Sequence, residues 1–125
     1  MAAPNIVNVS SIVGITTFVA NIGTGSGWSV IISNPASSNS VYKVNTLLAS
    51  NTTGTSANIT VKYFSQAAGA GTSVSIGTTI SVPAGSTLAL IGKDTPLYIE
   101  EDRSIAAQAG TANSIDILAS YETIS

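Results

Sequence analysis

The stretch Val74-Ser75-Ile76-Gly77-Thr78-Thr79-Ile80-Ser81-Val82 reads as a β-strand. Val74, Ile76, Thr78, Ile80 and Val82 alternate with Ser75, Gly77, Thr79 and Ser81. That period of two predicts one face on a core and the other in solvent. The neighbouring segment ANITVKYFS repeats the pattern: Ala57, Ile59, Val61 and Tyr63 are expected inward, and Asn58, Thr60 and Lys62 outward. Phe64 breaks the alternation and is expected on the outer face. In SIDILASYETIS, Ile115, Ile117, Ala119 and Tyr121 form one face, and Asp116, Ser120 and Glu122 the other.

Outward from these, IVNV near the start, VGITTFVA, WSVIIS and VYKVNTLLAS are apolar on both faces. Such strands are covered on both sides, so they are expected to be central or buried by a neighbouring subunit. STLALIG, PLYIE and RSIAAQA complete a set of about nine or ten short strands. Clusters rich in Gly, Pro, Asn and Ser separate them, among them Asn21–Gly27, Ser33–Ser40, Asn51–Ser56, Ala67–Gly71 and Glu100–Arg103. No helical periodicity, internal repeat or shift of composition divides the chain. The reading is all-β: a single antiparallel β-sandwich, jelly-roll-like, over residues 11–125, preceded by an extended N-terminal segment or arm over residues 1–10.

Composition narrows the chemistry. In 125 residues there are 4 Lys plus Arg, 6 Asp plus Glu, and no His or Cys. Without Cys there is no disulfide or thiol nucleophile. Without His there is no imidazole base and no ordinary zinc site. Four scattered cations make no phosphate-binding patch, so nucleic acid is not an expected partner. No apolar run approaches the roughly 20 residues that span a bilayer, and the start has no basic segment before its first apolar residues. No membrane partner or secretory signal is expected, and synthesis in a cytoplasm is, with secretion by another route left open. Asn-x-Ser/Thr sequons at Asn8, Asn51 and Asn58 are about the number chance gives at this Ser and Thr content.

Few side chains invite a chemical role. Glu100, Glu101 and Asp102, with Asp94 nearby, are the one acidic cluster. Carboxylates bind calcium, but no Asp-x-Asp-x-Asp-Gly loop is present, and the cluster reads as a solvated turn compensated by Arg103. Glu101 and Asp116 could serve as a glycosidase pair, yet nothing marks a sugar cleft. The hydroxyls with Lys43, Lys62 and Lys93 carry no weight as nucleophile and base. GTGSG, Gly23–Gly27, is a flexible turn rather than a phosphate cradle. Trp28 follows it, either as the first core residue of a strand or as a contact anchor. No catalytic residue, cofactor or metal site is expected. Charged residues are 8% of the chain, against about a quarter in an average soluble protein. Charge is depleted where protein meets protein, so burial against other subunits is expected.

Several segments together resemble the small virion structural proteins of tailed phages that infect marine cyanobacteria. They are MAAPNIVNVSSIVGIT, VYKVNTLLASN followed by ANITVKYF, ISVPAGSTLALIGKDTPLYIEEDRSI, and SYETIS. Relatives read Glu-Glu-Gly-Asp where this chain has Glu100-Glu101-Asp102-Arg103, which leaves the turn type there open. The resemblance implies a virion protein without catalytic residues, most directly a capsid decoration (cement) protein. It would bind the major capsid protein as a homo-oligomer, with a trimer favoured. Ile6, Val7 and Val9 of the N-terminal segment would add a strand to a neighbour's sheet edge, with Pro4 limiting the pairing. Trp28 and Phe64 are the other expected interface residues. The alternatives are a tail, baseplate or fibre component, and a host-surface or carbohydrate-binding module.

Overall fold

The computed structural model describes residues 9–25 and 28–125. Nine strands follow one another: β1 Ile12–Val19, β2 Ser29–Asn34, β3 Val41–Asn51, β4 Ala57–Gln66, β5 Ala70–Val82, β6 Thr87–Ile91, β7 Leu97–Ile99, β8 Arg103–Ala109 and β9 Ile115–Ile124. One sheet has the order β1-β9-β3-β6, with β7 also on β3; the other has the order β2-β8-β4-β5. Every pairing is antiparallel. A five-stranded and a four-stranded sheet, with the chain passing between them, make a jelly-roll sandwich.

The core lies between the sheets. Val44, Leu47 and Ala49 of β3 meet Ile59 and Val61 of β4, Ile105 and Ala107 of β8, and Ile115, Ile117 and Ala119 of β9. The inward faces read for β4 and β9 are the observed ones. Val82 is fully buried, and Ile76 and Ile80 pack against the core, but Val74 is 68% exposed. Two register shifts interrupt the alternation of β5 between Ile80 and Ser75; together they cancel in parity, and Val74, beyond both, lies opposite Tyr63. Ile59 is opposite Ile80, Val61 opposite Gly77, and Lys62 opposite Ser75, so β5 carries an extra residue at each step. Each extra residue turns the following side chains to the other face. Thr79, in the first bulge, takes φ +48°. Buried Gly77, not exposed Thr78, therefore sits opposite core residue Val61. A bulge between Val30 and Ile32 similarly lets Ile31 and Ile32 both enter the core.

The doubly apolar segments divide. β3 is central, between β9 and the β6 and β7 strands, and is covered as expected. β1 lies at the edge of its sheet and leaves Ile12, Val13, Ile15 and Phe18 exposed.

Two buried asparagines tie the sheets together. Asn34, at the end of β2, donates from Nδ2 to Ser40 O at 2.9 Å and to Ile99 O of β7 at 3.1 Å, and its Oδ1 accepts from Ser38 Oγ. Asn51, at the end of β3, donates from Nδ2 to Thr55 O at 2.7 Å and to Val82 O of β5 at 2.9 Å. Its Oδ1 accepts from Thr53 N at 2.9 Å and Thr53 Oγ1 at 2.8 Å. Each amide fixes a turn and reaches a strand of the opposite sheet.

Tyr63 and Tyr121 pack beside the core. Burial pushes both phenols above their ordinary value, with the neighbouring Tyr42 adding to the rise at Tyr121. The fold thus favours the neutral phenol. Its stabilisation is complete below the unfolded value of about 10 and is lost as pH rises through the folded value. Urea midpoints should stay level from about pH 6 to 9 and fall above about pH 10. A level profile through pH 11 would show that these phenols do not govern alkaline stability.

Candidate protein interface

The structure brings together three surface features. The first is the acidic turn between β7 and β8. Glu100, Glu101, Asp102 and Arg103 line a shallow depression with Ala36 and Ser37. Three of these side chains, Glu101, Asp102 and Arg103, hold backbone. Glu101 Oε2 accepts from Asn39 N at 2.9 Å, and Asp102 Oδ1 from Ala67 N at 3.0 Å. Arg103 Nη1 donates to Ser65 O at 2.8 Å and to Asp102 O at 3.1 Å. Glu101 Oε1 is buried with no hydrogen-bond partner. Among the described residues no group of three or more acidic side chains is placed to hold a metal ion. Asp116 does not join Glu101: it lines a separate depression beside Phe18 and Leu118 and accepts from Asn21 N at 2.8 Å.

Asp102 resolves the turn type left open by the sequence. Its φ is +57°, so it takes the left-handed position in the turn. Asp adopts that conformation more readily than most residues, and here its carboxylate also binds the Ala67–Gly69 turn. Asp102→Ala removes the bond and leaves a methyl side chain in strain, for a loss of about 2 kcal/mol. Asp102→Gly removes only the bond, for about 1 kcal/mol. Thermal denaturation should therefore rank Gly above Ala; the reverse order would mean that the position carries no strain.

The second feature is a small apolar cluster on the outer face of the β2-β8-β4-β5 sheet. Phe64 is on that face, as its place in the pattern predicts, yet it is 5% exposed. Its ring meets Trp28 edge-on at 5.6 Å, and Lys62 Nζ lies 5.3 Å from the centre of the indole. The Ala67–Gly69 turn packs against β2, β4 and β8 and lies beside Val30 and Ala106. Ser104 Oγ, accepting from Gly69 N at 2.8 Å and donating to Gln66 O at 2.7 Å, and Ser33 Oγ, accepting from Ala68 N at 2.9 Å, fasten it there. Trp28 is half-buried and belongs to this cluster rather than to the core between the sheets. Of the residues expected at an interface, Phe64 is thus enclosed by its own chain, Trp28 is partly so, and Val9 is half-buried. Ile6 and Val7 lie outside the described residues.

The third feature was not singled out residue by residue in the sequence. Phe18 of β1 is 72% exposed and pairs with Leu118 of β9, itself 43% exposed. Leu118 is also opposite Leu48 of β3, and Leu48 opposite Ala89 of β6. An apolar row thus crosses the outer face of the β1-β9-β3-β6 sheet, ending at the edge strand. The doubly apolar pattern of VGITTFVA was its signal. No protein-family model matches the chain, and no curated protein matches it.

Proposed function

We propose that the chain is a structural protein of a tailed-phage particle, a binding protein rather than an enzyme, which decorates the outer capsid shell as a homo-oligomer. The observation that carries this reading is the solvent-facing apolar surface centred on β1 and Phe18, on a chain with few charges. Such a surface is suited to being covered by protein. The resemblance of segments along most of the chain to cyanophage virion proteins supplies the particle. The fold itself does not choose, because jelly rolls serve both as capsid and as lectin domains. At Trp28, a cation over the ring and Phe64 against its edge disfavour the carbohydrate-binding alternative.

The mechanism is mass action. A protein that binds the assembled shell and not free capsid subunits raises the free energy of disassembly. The test is co-sedimentation with DNA-filled, tail-less heads stripped of this protein. Saturable binding at a fixed ratio to the major capsid subunit is expected. Absence of binding to heads, with the protein found in isolated tails, would replace decoration by a tail or baseplate role.

A further inference from the structure

Strand β1, Ile12-Val13-Gly14-Ile15-Thr16-Thr17-Phe18-Val19, lacks the usual protections of a sheet edge. Edge strands are commonly shielded by charge, Pro, bulges or short length. β1 has eight residues, none charged and none Pro, and it pairs with β9 without a register shift. Ser11 and Ser125 exchange two backbone hydrogen bonds, each 2.9 Å. Antiparallel pairing alternates such pairs with non-bonded ones. Continuing the alternation, Val13, Ile15, Thr17 and Val19 turn their backbone groups toward β9, and Ile12, Gly14, Thr16 and Phe18 turn theirs away. Among the described residues no strand pairs with this outer edge.

We propose that this edge joins a second copy of the chain, β1 against β1 about a two-fold axis, making one sheet that runs through both copies. In the favoured register Ile12 is opposite Phe18 of the second copy, Gly14 opposite Thr16, and Ile15 opposite itself. The outward backbone groups then meet each other and form the bonded pairs. The register also aligns the apolar rows. The row Ala89–Leu48–Leu118–Phe18 continues into Ile12 of the other copy, whose neighbours are Ile124 and Val41. A shift by two residues places Phe18 opposite Gly14 or Ser10 and breaks that continuity. A two-fold contact brings like against like, and the uncharged strand meets its copy without repulsion. A second copy therefore satisfies both the backbone and the side chains of this edge. The inference stands independently of the particle reading.

The absence of cysteine from the chain makes a direct test available. In this register the Ile15 Cα atoms form a non-bonded pair about 4.5 Å apart, within the range of about 4.4–6.8 Å that a disulfide spans. Ile15→Cys should cross-link to a covalent dimer under mild oxidation. Thr17→Cys alone should not, because its two copies are offset by about 13 Å along the strands. Thr17→Cys mixed with Val13→Cys, which are opposite one another, should cross-link. Sedimentation of the native protein should show a dimer, and Ile15→Lys, with two ammonium groups at the axis, should raise its dissociation constant at least about tenfold. A monomer at about 100 μM, a trimer, or equal cross-linking of Ile15→Cys and Thr17→Cys would overturn the proposal. Cross-linking of Ile15→Cys to a capsid subunit instead would overturn it too, assigning the edge to the shell. The head co-sedimentation assay reads a different quantity, so either idea can fail alone.

Discussion

Phe64→Ala will destabilise the isolated domain by about 3–4 kcal/mol, the range for an aromatic ring removed from a packed site. Although the residue lies on the outer face of its sheet, it is 5% exposed and packs edge-on against Trp28. Its removal leaves a void under the indole. It also loosens the surface that the Ala67–Gly69 turn shares with β4 and β8. The urea midpoint should fall with an unchanged slope, and the melting temperature by roughly 10–15 °C. Trp28 is the single tryptophan, so its emission should shift to the red as water reaches the ring. The folded variant should still bind heads at the native ratio, which separates a packing role from an interface role. A loss below about 1 kcal/mol together with lost head binding would reverse that assignment and return Phe64 to the partner surface.

Asn51→Leu is the second large effect, expected at about 3 kcal/mol. The size comes from what is left behind. Thr55 O and Val82 O lose their donor, and Thr53 N and Oγ1 lose their acceptor, at a site where Asn51 is 3% exposed. Buried groups left unpaired cost about 1–3 kcal/mol each, and water reaching the partly open Thr53 side will relieve some of that. Denaturant titration should show the loss. Amide exchange should rise first over 51–56 and at the end of β5, where the amide joins the two sheets. A neutral result would mean that the turn repairs its own hydrogen bonds without the side chain.

The physical reason some of this was legible lies in how each strand is buried. β4 and β9 have one face on the core and no bulge that resets it, so alternation named their inward residues. β5 has the same alternation on paper, but an extra residue beside Thr79 puts Gly77 rather than Thr78 on the core face, and nothing at Thr79 marks a bulge. Phe64 was placed on the correct face, but its cover comes from a turn whose docking depends on Ser33, Ser104 and Asp102, all distant in sequence or unremarkable there. Asn34 and Asn51 look like ordinary turn residues, since Asn is common in turns. Only their distant carbonyl partners show that they join sheets. The apolar β1 reads as a covered strand, and the structure shows instead an edge without cover from the described residues. At position 102 the sequence left the turn type open, and the structure shows a left-handed backbone carried by Asp.

The order of strands in the first sheet sets when the protein can fold during synthesis. β9 leaves the ribosome after the other eight strands, yet it lies between β1 and β3 and pairs along both. Until residues 115–124 are out, these two strands have no neighbour between them. The β4–β5 hairpin can form early because it closes through a short turn, whereas the other sheet must wait. A ribosome stalled before Ile115 would therefore present Ile12, Phe18, Leu47 and Leu48 to solvent together. Chaperone engagement should peak late in translation and end abruptly once β9 slots in.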